Sequence, residues 1–153
     1  MYNKIIENDL FKKTIKTIEE KEKTRIFCRH GIDHCLDVAR IAYILALENN
    51  LNISKDIIYS AALLHDTGRA FDDKDHGIKG AELAEKILIQ CGYTNDISEI
   101  KNAISNHRKD ADTLNNLSDI LSKADKLSRQ CFDCKAQKEC YWSEERRNKN
   151  IKY

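Results

Sequence analysis

The sequence predicts an all-α protein, and three observations support this prediction. The 153 residues include no proline and five glycines, and these are the two residue types that most often interrupt helices. Apolar residues recur with helical spacing in several segments, whereas no segment shows the sustained alternation of a half-exposed strand. No Asn-Gly or Asp-Gly pair marks a β-hairpin. We therefore expect one helical domain with one core.

Three helices are expected in the first half of the chain. Residues 3–23 and 33–50 each place apolar side chains on one face with helical spacing. Ser54 has the side chain of a good N-cap for a third helix over residues 55–65. The apolar residues are Ile5, Ile6, Leu10, Ile15 and Ile18 in the first helix, and Leu36, Ala39, Tyr43, Ala46 and Leu47 in the second.

Three more helices are expected in the second half. One runs over residues 76–91, and Gly92 stands where a helix is commonly followed by glycine. Asn95 or Asp96 can cap the next helix, which ends near residue 107. Ser118 can open the last one, which ends near residue 127. The last two patterns rest on Ile97, Ile100 and Ile104, and on Ile120, Leu121, Ala124 and Leu127.

Composition narrows the class of protein. Hydrophobic residues make up 41% and charged residues 33%, which excludes a disordered chain and a membrane protein. The N-terminus lacks the apolar run of a signal peptide, and no stretch approaches the roughly 20 apolar residues that span a bilayer. We therefore expect a cytoplasmic protein without a membrane partner, in which thiols stay reduced. The formal net charge of +1 argues against a nucleic-acid partner.

Several polar residues fall on apolar helix faces or at helix ends. Any one of them alone is more often a hydrogen-bonded core residue, a helix cap or an ion-pair partner. Burial of an unpaired carboxylate costs several kcal/mol, so a cation shared with nearby imidazoles would explain their coincidence. The residues are His34, the pair His65-Asp66 after the apolar run 57–64, His76, His107 and Asp125.

The order of these residues resembles the HD superfamily of metal-dependent phosphohydrolases. The motifs that carry the resemblance are RHGIDHCLDVAR, AALLHDTGR, HGIKGAELA, AISNH and KADKLSR, which span residues 25–130 approximately. The resemblance implies a helical bundle, residues 1–130, with the metal centre in its middle. The set is also similar to small bacterial HD enzymes that hydrolyse dinucleoside tetraphosphates, although those usually have lysine where this chain has Arg69.

The resemblance also implies the ligands. The minimal family site carries over to His34, His65, Asp66 and Asp125. His76 and His107 match the two further histidines of members that hold two metals, and this implies a dinuclear centre bridged by Asp66. Imidazole and carboxylate ligands suit iron, manganese, cobalt, nickel or zinc, and the sequence does not choose among them.

Four basic residues beside the ligand segments are candidate phosphate-binding groups. An ordinary solvated charge is the alternative for each of them, and Arg69 is the strongest candidate because it follows the His-Asp pair. We name Asp66 and Arg69 as the candidate catalytic residues. His30 lies four residues before His34, but Gly31 between them indicates a loop, and we leave His30 out of the metal centre. The four candidates are Arg69, Lys79, Lys126 and Arg129.

The cysteines suggest a second metal site. Cys131, Cys134 and Cys140 form a C-x2-C-x5-C cluster in residues 131–153, a short C-terminal extension that we expect to pack on the same domain. Three clustered thiols in a reducing compartment favour a structural zinc, with Cys28 as the fourth ligand and His30 as its rival. Unligated thiols or, less favoured by the spacing, an iron–sulfur cluster are the alternatives. Cys35 and Cys91 fit the core, and the tail EERRNKNIKY is expected to be a solvated or frayed end.

These features predict a metal-dependent phosphohydrolase that uses a metal-bound hydroxide on a nucleotide or related small phosphate ester or anhydride. One alternative is a nucleotide-sensing HD module that binds metal without turnover. Another is a nucleic-acid binder built on the cysteine cluster, which the balanced charge disfavours. A homodimer is compatible with a small helical domain.

Overall fold

The computed structural model describes residues 1–71, 76–110 and 112–153. Within these ranges the chain forms α-helices and two short 3₁₀ turns and no β-strand, so the all-α prediction is confirmed. The helices are α1 (Asn3–Glu7), α2 (Asp9–Lys21), α3 (Ile32–Glu48), α4 (Lys55–Leu64), α5 (His76–Gln90), α6 (Ile97–Asn106) and α7 (Leu117–Leu127), and the 3₁₀ turns are Thr67–Ala70 and Cys131–Asp133.

The expected single N-terminal helix is wrong, because Asn8 divides it into α1 and α2. The backbone of Asn8 is extended, with ψ 128°, and its side-chain oxygen accepts a hydrogen bond from the Phe11 N–H. An N-cap residue has a non-helical backbone conformation. The asparagine that caps the second helix therefore also ends the first. The apolar period continues across the break, so the pattern alone does not reveal it.

The other helices agree with the sequence to within a few residues at each end. Ser54 caps α4 as expected, its hydroxyl accepting from the Ile57 N–H. Gly92 follows α5 with φ 85°, the left-handed conformation that favours glycine. The cap of α7 is Asn116 rather than Ser118, and its side chain accepts from the Asp119 N–H. Asp96 precedes α6 with φ 64° and makes no side-chain cap bond.

The core lies where α3 packs against α4 and α7 and where α5 packs against α6. Apolar side chains from every helix meet there, and several of the largest, such as Ile58, Leu64, Ile104 and Leu121, are fully buried. Burial of each such side chain contributes roughly 1.5–3 kcal/mol. The ends of α4, α6 and α7 and the starts of α3 and α5 carry the candidate ligands, so the core fixes their relative positions.

The turn Thr67–Ala70 lies directly against the first turn of α5. A Cβ on Gly68 would stand 1.9 Å from the His76 carbonyl oxygen and 2.6 Å from the Gly80 backbone nitrogen. Only glycine permits this approach of two backbones. The contact places the residues after α4 beside the residue that opens α5.

No helix within the described ranges has both the length and the apolar character needed to cross a membrane. After α7 the chain has little regular structure beyond the turn Cys131–Asp133. The Asn148 side chain donates to the carbonyl oxygens of Lys126 and Arg129, at 2.7 and 2.8 Å. This contact joins the C-terminal extension to the end of α7.

Candidate metal centre

Six predicted ligands come from five separate segments and meet in the interior. They lie in the first turn of α3, just after α4, at the first residue of α5, just after α6 and near the end of α7. His65 and His76 are fully buried, and Asp66 and His107 are 2% exposed. The six residues are His34, His65, Asp66, His76, His107 and Asp125, and the structure divides them into two groups.

The first group contains His34, His65, Asp66 and Asp125. The Nε2 of His34 lies 3.5 Å from Asp66 Oδ2 and 3.2 Å from Asp125 Oδ1. The Nε2 of His65 lies 3.0 and 3.8 Å from the same two oxygens. Two imidazole nitrogens and two carboxylate oxygens therefore face a common point.

The second group contains Asp66, His76 and His107. The other carboxylate oxygen, Asp66 Oδ1, lies 3.2 Å from His76 Nε2 and 3.8 Å from His107 Nε2, and these two nitrogens are 3.2 Å apart. Asp66 thus offers one oxygen to each group. This is the placement that a bridging carboxylate between two metal ions requires.

Two buried polar atoms in the first group make no hydrogen bond among the described residues. His65 Nε2 and Asp66 Oδ2 lie 3.0 Å apart and are inaccessible to solvent, but no hydrogen bond of normal geometry within the described ranges satisfies either atom. An unpartnered buried carboxylate oxygen is costly, and a divalent cation is the partner that would satisfy both atoms together. The residues present therefore fit the site of a metal ion.

Backbone contacts orient two imidazoles so that Nε2 faces the centre. His65 Nδ1 lies 2.7 Å from the Ala62 carbonyl oxygen, and His107 Nδ1 lies 2.5 Å from that of Ile104. A carbonyl only accepts, so Nδ1 donates in both rings and Nε2 keeps its lone pair in the neutral form. Metal-binding histidines are commonly oriented in this way.

The electrostatics of the site favour positive charge. Burial lowers the pKa of His65, but the carboxylates of Asp66 and Asp125 outweigh this effect and raise it to about 10. Burial raises the pKa of Asp66, yet the neighbouring imidazoles hold it well below its usual range. Burial and the neighbouring His65 together lower the pKa of His107 to about 4. The two carboxylates thus stay ionised and attract either a proton on His65 or a cation in its place.

His30 lies beside this centre, although the sequence led us to leave it out. It is 3% exposed, its Nδ1 lies 2.6 Å from Glu22 Oε1, and its Nε2 lies 4.0 Å from Asp66 Oδ2. The Glu22 carboxylate also accepts from the His30 backbone N–H. The spacing of four residues between His30 and His34 was the sequence feature that pointed to this position. The loop around Gly31 directs the His30 ring inward, although this segment is not helical.

The four basic candidates differ in position. Arg69 Nε donates to Asp66 Oδ1 at 2.7 Å, and Arg129 Nη2 donates to Asp125 Oδ1 at 3.1 Å. Lys126 Nζ forms an ion pair with Asp110 Oδ1 at 2.5 Å. Arg69, Lys126 and Arg129 line a cavity of about 500 Å³ beside the centre, whereas Lys79 lies on α5 outside the described lining.

The cysteines meet at the same cavity without forming a compact ligand set. Its lining includes Cys28, Cys131, Cys134 and Cys140. Partial burial raises the pKa of the Cys28 thiol, and the nearby thiols of Cys131 and Cys134 raise it further. Across residues 1–71, 76–110 and 112–153, three or more ligand atoms lie within 4.8 Å of one another only in the two groups above. The structural zinc therefore stays a prediction. Cys35 and Cys91 are buried, as expected.

Residues 31–130 match the family model described as HD domain. This match covers the ligand segments and most of the helical core. The chain belongs to the HD domain family. An uncharacterized protein of Clostridium beijerinckii is 37% identical over 156 residues, which cover 99% of this chain and 98% of that protein. No solved structure gives a significant match to this HD protein.

Other relatives of this HD protein are named Ribonuclease Y. The one from Mycoplasma mycoides is 29% identical over 124 residues, and the one from Acetivibrio thermocellus is 30% identical over 100 residues. The matches cover 79% and 63% of this chain but only 27% and 17% of those longer proteins. The narrower likeness to hydrolases of dinucleoside tetraphosphates finds no support in these comparisons.

Proposed function

We propose that this HD protein is a metal-dependent phosphohydrolase that acts on a phosphate ester or anhydride of a nucleotide. The observation that carries the proposal is the position of Asp66, which presents one oxygen to each of two adjoining groups of ligand atoms. A carboxylate with a purely structural role needs only one hydrogen-bonding or ionic partner. A carboxylate whose two oxygens face two separate imidazole clusters is suited to bind two divalent ions. When bound, such ions supply Lewis acidity toward phosphoryl oxygens and lower the pKa of a water molecule.

The chain's own residues would hold and orient this chemistry. Backbone carbonyls fix the His65 and His107 rings, and Arg69 donates to Asp66 Oδ1, the oxygen that faces the second group. Arg69 and Arg129 also line the adjoining cavity, where a guanidinium can bind phosphoryl oxygens through two N–H groups. We assign these two residues to phosphate binding, and iron, manganese, cobalt, nickel or zinc to the ligand set.

The name of the longer relatives supports a nucleotide phosphoester as the substrate. Ribonuclease Y names an activity on RNA, and the matched part of those proteins corresponds to this HD domain. Since this chain spans 27% or less of the two Ribonuclease Y proteins described above, hydrolysis of RNA is only a candidate activity for this protein. Free nucleotides and short RNA therefore belong together in one substrate screen.

The test compares wild-type protein with Asp66→Ala. Both proteins are purified without added metal, analysed for metal content, and assayed with manganese, iron or cobalt on nucleoside mono-, di- and triphosphates and a short RNA. We expect wild type to hold two ions at this centre and to hydrolyse at least one substrate. Asp66→Ala should lose both ions and all activity, because it removes an oxygen from each group.

Asp37→Asn is the matched control, since Asp37 lies on α3 outside both ligand groups and pairs with Arg40 at 3.4 Å. It should keep metal and activity. Full hydrolysis by metal-stripped Asp66→Ala protein would refute the proposal. Metal binding by wild type without turnover on any substrate would favour the sensing module.

A further inference from the structure

The C-terminal extension forms one wall of the cavity beside the candidate metal centre. The cavity lining includes His107, Asp125 and Arg69 from the region of the centre and residues of the extension from Cys131 to Arg147. Its volume of about 500 Å³ lies within the roughly 300–1,000 Å³ of small-molecule sites. A substrate at the centre would therefore contact the extension.

Positive charge is concentrated around this cavity. Arginine and lysine side chains from both the helical domain and the extension line it, and Asp125 is the single carboxylate within the described lining. The whole chain, by contrast, has a formal net charge of +1. The cations other than Arg69 and Arg129 are Arg25, Arg108, Lys126, Arg146 and Arg147. A ligand with negative charge beyond the reacting phosphate would match this distribution.

Aromatic side chains stand among these cations. Trp142 is half-buried, and the Arg146 guanidinium lies over its ring at 5.0 Å from the centroid. Tyr141 is 76% exposed and meets Phe27 edge to face at 6.0 Å. Tyr141 and Trp142 together offer aromatic rings to a flat ring system, and bases stack on such side chains irrespective of sequence.

We propose that the extension is the substrate-specificity wall, on which Trp142 and Tyr141 stack the base and Arg146 binds a phosphate next to the reacting one. The ligand class is a nucleotide with at least two phosphates, either free or as the end of an RNA strand. This inference rests on the proposed function for the reacting phosphate, but nucleotide binding to the wall is measurable without turnover. An inorganic phosphate or a nucleoside alone would match only part of the wall.

Trp142 is the only tryptophan of the chain, so its fluorescence reports directly on this wall. Wild-type protein with its resident metals is titrated with the methylene analogue of ADP, with a 5′-phosphorylated RNA trinucleotide, with adenosine and with inorganic phosphate. We expect the analogue or the trinucleotide to quench the emission with saturation, and adenosine and phosphate to bind at least tenfold more weakly. If the analogue binds more tightly, the ligand is a free nucleotide; if the trinucleotide binds more tightly, the ligand is the end of an RNA strand.

Three variants test the assignment by calorimetric titration with the tighter ligand. Trp142→Ala should weaken binding by roughly 5- to 150-fold, the range expected for loss of one stacked base. Trp142→Phe should restore most of the affinity, which shows that the Ala variant fails through the ring and not through folding. Phe132→Ala is the control, since Phe132 is 43% exposed on the same extension but lies outside the described lining of this cavity.

The outcomes separate the two proposals. Saturable quenching in a protein without turnover on any nucleotide would support the wall and contradict the proposed phosphohydrolase. Turnover with no quenching by either ligand would overturn the wall and leave the phosphohydrolase intact. Equal loss of affinity in Trp142→Ala and Phe132→Ala, or no rescue by Trp142→Phe with both variants folded, would also overturn it.

Discussion

The candidate metal centre and the cavity wall formed by the C-terminal extension are built by different means. The centre takes its side chains from helix ends, buries them among apolar residues and holds them with backbone hydrogen bonds. The wall comes from the C-terminal extension, has one short 3₁₀ turn and leaves Tyr141 and Arg146 exposed. Rigid helices suit ligands that must meet within a few ångströms, whereas an irregular segment suits contacts that follow the shape of a substrate.

This difference also separates what substitutions should do in the two regions. A change in the centre disturbs packed backbone and should affect folding and metal content together. A change in the wall should alter ligand affinity and leave the core intact. The predictions below test that separation.

Gly68→Ala should have the largest effect. Its Cβ would collide with the backbone of His76 and Gly80, which cannot move without shifting α5. We expect a loss of at least about 3 kcal/mol in the free energy of unfolding, at the upper end of overpacking costs. In thermal unfolding this corresponds to a decrease in Tm of roughly 6–12 °C for a domain of this size.

Gly31→Ala is the matched control for this substitution. Its Cβ would meet the Glu19 carboxylate at 3.0 Å, and a flexible side-chain end can move away. The change in Tm should be small. Equal stability of the two variants would contradict the view that the turn and α5 meet backbone to backbone.

Cys134→Ser tests whether metal holds the wall in place. If the predicted structural zinc is present, this variant should lose one zinc ion per chain and bind nucleotide more weakly, with residues 131–153 cut faster by protease. Cys91→Ala is the control, because Cys91 follows α5 far along the chain from the extension and should not change the zinc content. Zinc content that is the same in wild type and Cys134→Ser would contradict this site.

Arg108→Gln should have the smallest effect. Arg108 is exposed and lines the cavity, so its charge acts on a ligand through solvent. Loss of such a charge should weaken nucleotide binding by roughly 1.5- to 5-fold, and less at high salt. Titrations at two salt concentrations measure this effect, with Arg40→Gln, outside the described lining, as the variant that should not change affinity. A salt-independent loss would point to a direct contact instead.

The helices could be predicted from the sequence because they depend on periodicity. Periodicity also singled out polar residues on apolar faces, and the resemblance to the HD superfamily implied that they are ligands. His34, His107 and Asp125 stand out as polar residues in apolar stripes, and the structure brings them together. The division at Asn8 could not be predicted in this way, since one capping hydrogen bond changes the backbone without changing the apolar period.

The wall could not be predicted because no period links its residues. The tail was expected to be solvated or frayed, yet Arg146 and Arg147 of that tail line the cavity. The balanced charge of the whole chain likewise gave no sign of the cations that meet around one cavity. His30 was missed for a related reason, because a loop, not a helix face, directs it toward Asp66.

The wide spacing of the six candidate ligands along the chain also links metal occupancy to folding. The first group spans residues 34–125 and the second spans residues 66–107, so each group forms only when the fold brings distant segments together. The ions would therefore bind the native state far better than the unfolded chain. At a free metal concentration one thousand times the dissociation constant, such binding adds about 4 kcal/mol to stability. The supply of metal would therefore affect the stability of this protein as well as its activity.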